Sequence, residues 1–156
     1  MIPQQIVEFI SQLGLPMSFG TRDADLQTSV SHAWGMKVSD DSEKITFYFP
    51  KIALSEKHLA NMQHNGRIAF TIGHSVSHVC YQLKGKYLSH SHCNEDDNQF
   101  IKKNFSVFEN SAVEIYGEPV REIFKKLNFG EYISVTFYVE DIFNQTPGPG
   151  AGTKFN

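Results

Sequence analysis

Two runs near the middle of the chain alternate with a period of two. Ile45, Phe47 and Phe49 alternate with Thr46 and Tyr48, and Ile68, Phe70 and Ile72 with Ala69 and Thr71. That period belongs to strands with one buried face. Between them the spacing turns helical: Leu54, Leu59 and Met62 share a face, Ser55 is the expected N-cap and Asn65-Gly66 the expected stop. A strand, a Ser-Glu-Lys loop entering a helix and a return strand bring a hydroxyl, an ammonium and helix amides close together. That grouping suits a phosphate, so a phosphorylated ligand is the first expectation.

The flanking pattern extends this frame. Ile6, Val7, Phe9, Ile10 and Leu13 form a helical stripe after Pro3, ended by Gly14, which predicts an amphipathic helix over 3–13. Residues 16–22 and 28–38 read as strands joined by a polar turn, the second pairing onward through Ser39 to Ser42 with Ile45 to Phe49. Cys80 to Ser91 reads as one long strand whose interior Gly85 predicts a bulge or sharp bend. Glu95, Asp96 and Asp97 open a helix carrying Phe100, Ile101, Phe105 and Phe108; Ser111 to Gly117 fits either loop or a further turn. Arg121 to Leu127 reads as a short helix stopped near Asn128-Phe129-Gly130, and Ile133, Val135, Phe137 and Val139 as a closing strand. The sum is a mainly β chain, a small antiparallel β-barrel of about six strands with α decorations.

A length of 156 residues suits one domain over 1–156, with 143–156 an irregular tail rich in Pro and Gly. Phe143 and Phe155 offer that tail anchors on the barrel or on a partner subunit. A net charge of −3 and the lack of any Lys/Arg run longer than a pair argue against a nucleic-acid partner. No membrane-crossing run or secretory start is present, so a cytoplasmic protein is expected. Cys80 and Cys93 lack CxxC spacing.

The segment ITFYFPKIALSEKHLANMQHNGRIAFTI resembles the central signature of the flavin-binding split barrels related to pyridoxamine 5'-phosphate oxidase, and Gln145 to Gly152 (QTPGPGAG) resembles the ending of a bacterial subgroup. The resemblance implies a homodimer with FMN at the interface and a small-molecule substrate. Ser55 and Lys57 match the family's phosphate-binding Ser-x-Lys; His32 and Lys37 fall where the family has Arg and Lys. A histidine there serves a phosphate only when protonated or as a neutral donor. Tyr48 and Phe49 match the strand end beside the flavin ring, and Gln82 lies near the family's flavin-facing Gln. The C-terminal Trp and Arg of the oxidase itself are absent, so an FMN-dependent oxidoreductase of another substrate is expected. The alternative is a non-enzymatic flavin or haem module of the same fold.

Three groups carry a blander reading. His90 and His92, with His74, His78, Cys80 and Cys93, are better read as polar positions at strand ends than as metal ligands, and no metal is assigned. Arg67 is expected in a local ion pair, and Trp34 in the core or an interface rather than on a ring.

Overall fold

The computed structural model describes residues 1–127 and 130–155. Among these, seven strands form one antiparallel sheet: β1 Met17–Arg22, β2 Thr28–Ala33, β3 Met36–Val38, β4 Lys44–Pro50, β5 Arg67–Gly73, β6 Cys80–His92 and β7 Tyr132–Asn144. Their spatial order is β2-β1-β5-β6-β7-β4-β3. Four helices accompany them: α1 Gln4–Ile10, α2 Ala53–Asn65, α3 Glu95–Tyr116 and α4 Pro119–Phe124. No helix among the described residues is long and apolar enough to cross a membrane.

The expected single strand over 28–38 is broken at Trp34-Gly35. β2 therefore pairs with β1 at one edge of the sheet and β3 with β4 at the other. Counted as one bent strand they leave six; counted by pairing there are seven, and the ladder does not close. At the bend the Trp34 amide donates to the Tyr48 carbonyl (2.8 Å) and the Tyr48 amide to the Gly35 carbonyl (3.0 Å). α3 lies over this break. A Cβ at Gly35 would sit 2.9 Å from the Phe100 ring, so the bend and the helix come together only over a glycine.

Inside, Phe19, Phe47, Phe49, Phe70 and Phe137 are buried, with neighbouring ring centroids 4.7 to 6.2 Å apart. Phe47, Phe49, Phe70 and Phe137 are inward positions that the alternation identified; Phe19 joins them from β1. Tyr48 departs from the alternation, being 2 % exposed, because α3 covers the outer side of β4 there.

Several boundaries differ from the sequence reading. α1 ends at Ile10. α3 continues through Ser111 to Tyr116, so the ambiguous stretch is helix. Asn94 caps α3: its side chain accepts from the Asp97 amide at 2.9 Å. α4 starts at Pro119, two residues before the expected Arg121, because proline suits a first helical turn. The expected stop at Asn128-Phe129 lies outside the described residues. Ser55 is not the N-cap of α2. The helix begins at Ala53, and the Ser55 hydroxyl accepts from the Ile52 amide (2.9 Å) while donating to the Pro50 carbonyl (2.8 Å).

The tail is held down. β4 ends its pairing with β7 at Lys44 opposite Tyr138, which leaves the far half of β7 with an open edge. The chain turns back onto that edge: Thr153 accepts from the Asn144 amide (2.8 Å), and the Phe155 amide donates to Ile142 (2.8 Å). Thr146 Oγ1 accepts from the Cys80 amide at 3.0 Å, and the Phe155 ring packs 5.6 Å from Tyr81. Covering an edge in this way removes a template for unwanted strand pairing.

Candidate functional site

Sheet register assembles the site. On the outer face one cross-strand row runs His32, Ser18, Thr71, Gln82, Phe143 and Lys154, from β2 through β1, β5, β6 and β7 to the tail. The next row is Val30, Gly20, Ala69, Lys84 and Asp141. Ser18, Thr71 and Gln82 of the first row and all of the second line a cleft of about 680 Å³, within the roughly 300 to 1,000 Å³ usual for small-molecule sites. His32 and Gln82 are three strand spacings apart, roughly 14 Å. The Gln82 amide donates weakly to Thr71 Oγ1, at 3.4 Å.

One smaller hollow adjoins the cleft, and a second adjoins that hollow. The first, of about 220 Å³, shares Val30 with the cleft and is lined also by His32, Trp34, Phe49 and Ile52. The other, of about 600 Å³, shares Ile52 and is backed by Ser55, with Lys51, His90 and His92 at its rim. Phe49 contributes only an edge here, because its ring belongs to the core (1 % exposed).

Lys37 and Tyr48 are not in this group. Lys37 Nζ lies 3.1 Å from Asp97 Oδ1, and the Tyr48 hydroxyl donates to the same oxygen at 2.9 Å. Burial, then the bond to Asp97, pushes the Tyr48 phenol well above its ordinary pKa. Burial pulls the Asp97 carboxyl up, but the hydrogen bonds from Tyr48 and Lys37 outweigh it and leave its pKa below normal. The three groups fasten the start of α3 to β3 and β4. Lys57 is exposed on α2. The expected phosphate corner of Lys37, Ser55 and Lys57 therefore does not converge: one ammonium is held by a carboxylate, and the hydroxyl's proton is donated to a carbonyl.

Asp97→Ala keeps the Asn94 cap but removes the reciprocal bond from the Asn94 amide (3.4 Å) and two charge-assisted bonds at once. It should cost about 2 kcal/mol, read as a lower urea midpoint. Lys37→Ala breaks one half-exposed ion pair and the ammonium's approach to the Tyr48 and Phe100 rings, at 5.4 and 4.9 Å, and should cost about 1 kcal/mol. Equal losses in the two variants would contradict this fastening.

One buried cluster went unread in the sequence. His58, fully buried, shares hydrogen bonds with Thr21 Oγ1 and Ser31 Oγ, both 2.9 Å, and Asn61 donates to Thr21 at 3.0 Å. Its signal was available, because His58 precedes buried Met62 by one helical turn and so shares its face. Arg67 does make the expected local pair, 2.7 Å from Glu140, yet it also lines the cleft. Trp34 packs edge-on against Phe105 and Phe108 of α3, at 5.0 and 5.6 Å. Among the described residues no three His, Cys, Asp or Glu side chains gather as a metal site would need. His90 instead shares a 2.5 Å hydrogen bond with the Tyr87 hydroxyl, and burial raises the Cys93 thiol to about 11.

The architecture recurs in solved structures. HupZ from Group A Streptococcus superposes with a TM-score of 0.55 at 17 % identity, covering 97 % of this chain and 100 % of that one. A candidate pyridoxamine 5'-phosphate oxidase from Lactobacillus delbrueckii gives 0.52 at 15 % identity, over 91 % and 93 % of the two chains. An FMN-binding protein from Syntrophomonas wolfei gives 0.50 at 9 % identity, over 90 % and 81 %. The chain has the split-barrel fold of the pyridoxamine 5'-phosphate oxidase-like proteins. At these identities the likeness is one of fold. No protein-family profile matches the sequence, and no curated protein matches it. In this split barrel the bend at Trp34-Gly35 is the split, and α3 fills it.

Proposed function

We propose that this split barrel is a cytoplasmic, homodimeric flavin-binding protein that acts as an oxidoreductase on a small molecule. The observation that carries the reading is the open cleft that Ser18, Gly20, Ala69, Thr71 and Gln82 line in adjacent cross-strand rows, with His32 at the end of the Gln82 row in the adjoining hollow. The Gln82 amide can both donate and accept at a flat heteroaromatic edge, and the Gly20-Ala69 floor beside it leaves room for a ring. FMN, when bound, supplies the electron chemistry, so the chain's residues have to bind, orient and exclude water. The cleft is open on one side, with Val30 62 % exposed at its margin, and a second copy laid over this face would close it.

The test is the visible absorption spectrum of the purified protein after addition of FMN and removal of the excess. About one retained flavin per chain is expected, with a dimer by sedimentation. Oxidation of NADH or NADPH by the loaded protein then separates an oxidoreductase from a carrier. A colourless protein after FMN addition would sink the flavin reading.

A further inference from the structure

We propose that the outer cleft recognises an anionic group, a phosphate or carboxylate, through Arg22 and Lys84, across a floor that Gly20 keeps open. This rests on the cleft named above as the binding site and specifies what it grips.

The first support is the arrangement of charge. Arg22, Arg67, Lys84, Glu140 and Asp141 all line the cleft. Both carboxylates are already engaged: Glu140 by Arg67 at 2.7 Å and Lys86 at 3.3 Å, and Asp141 by Lys154 at 2.5 Å. Asp141 is the direct cross-strand neighbour of Lys84, yet it pairs with the tail's lysine instead. Among the described residues, Arg22 and Lys84 have no carboxylate partner. Lys84 Nζ rests 4.6 Å from the Phe143 ring centre, and Arg22 reaches only the Asp23 carbonyl at 3.3 Å. Both holds are weak enough for an anion to replace.

The second support is Gly20. Most close-packed glycines are explained by what a Cβ would strike, but a Cβ at Gly20 would meet only Ser29 O and Val30 Cγ2, each at an ordinary 3.8 Å. Nothing in the packing requires glycine, although glycine within a strand costs about 0.5 to 1 kcal/mol relative to alanine. Its effect is to leave the floor bare between β2 and β5. Arg22 and Lys84 lie two strands and two residues apart, roughly 12 Å between Cα atoms, so both long side chains can reach one group above that floor. The Ser18 and Thr71 hydroxyls and the Gln82 amide stand in the adjacent row as neutral partners.

The anion has two possible sources, the phosphate of a bound flavin or an acidic group on the substrate. The first probe is inorganic phosphate, titrated into the full chain while the backbone amides of Gly20, Thr71 and Gln82 are followed by NMR. Saturable shifts are expected, with affinity falling about tenfold or more both in the Arg22→Gln, Lys84→Gln double variant, at unchanged melting temperature, and in Gly20→Val, at an equal or higher one. No saturable shift, or equal affinity in the double variant, overturns the proposal. The second arm compares FMN with riboflavin. A preference for FMN that disappears in the double variant assigns the anion to the flavin's own phosphate. A preference that survives, or a protein that takes up neither flavin yet still loses phosphate binding in both variants, assigns it to a substrate. In that last case the flavin reading fails while the anion site stands.

Discussion

Gly85→Ala is expected to lower stability by about 3 kcal/mol, near the upper end of the cost of overpacking. For a chain of this size the melting temperature should fall by about 10 °C. The pairing of β6 with β7 shifts register between Lys84 and Gly85: Lys84 faces Asp141, Gly85 faces Val139, and Glu140 is left over as the bulged residue. The strands pinch there. A Cβ on Gly85 would fall 1.9 Å from the Tyr138 carbonyl oxygen and 3.0 Å from the Phe137 ring, so the backbone of β7 would have to move. The same bulge aims Glu140 at Arg67 and Lys86, so Gly85→Ala should also disturb the cleft margin. Thermal melts of the two proteins within about 2 °C of each other would show that β6 and β7 do not approach so closely.

The second large effect is pH-dependent. His58 is enclosed between the Phe19 and Phe49 rings, with centroids at 4.5 and 6.2 Å, and both its nitrogens are bonded to hydroxyls. Burial, and next the charge of Lys57, lowers its pKa from 6.5 to about 4. The unfolded chain therefore binds a proton between about pH 6.5 and 4 that the folded chain does not, so stability rises with pH across that window. The contribution is fully present above pH 6.5 and is lost as the pH falls to about 4. At 1.36 kcal/mol per pH unit this amounts to about 3 kcal/mol. Urea midpoints between pH 7.5 and 4 measure it, and His58→Gln should flatten the slope in that range. An unchanged slope in that variant would assign the dependence to other groups.

The strand faces could be read because a two-residue period is local. Ile45, Phe47 and Phe49 declare their side of β4 whatever the rest of the chain does. The bend at Gly85 was visible for a similar reason, since glycine in the interior of a long strand commonly marks a bulge or bend. Tyr48 and Lys37 could not be read in this way. Each sits at an outward position of its strand, where solvent or ligand is the default neighbour, and both are claimed by Asp97, which lies 49 and 60 residues further along the chain. Ser55 was misassigned by a smaller margin: starting α2 at Ala53 moved its hydroxyl from the cap into the first turn.

Alternation and turn residues were enough to specify a decorated antiparallel barrel and most of the side chains that fill it. Which outward residues share a site depended on register between strands far apart in sequence. That register aligned His32 with Gln82 and left Lys84 beside a carboxylate already engaged by the tail. Periodicity assigns a residue to a face, but its neighbours across the sheet, or beneath α3, follow from how distant segments dock, and no local spacing encodes that docking.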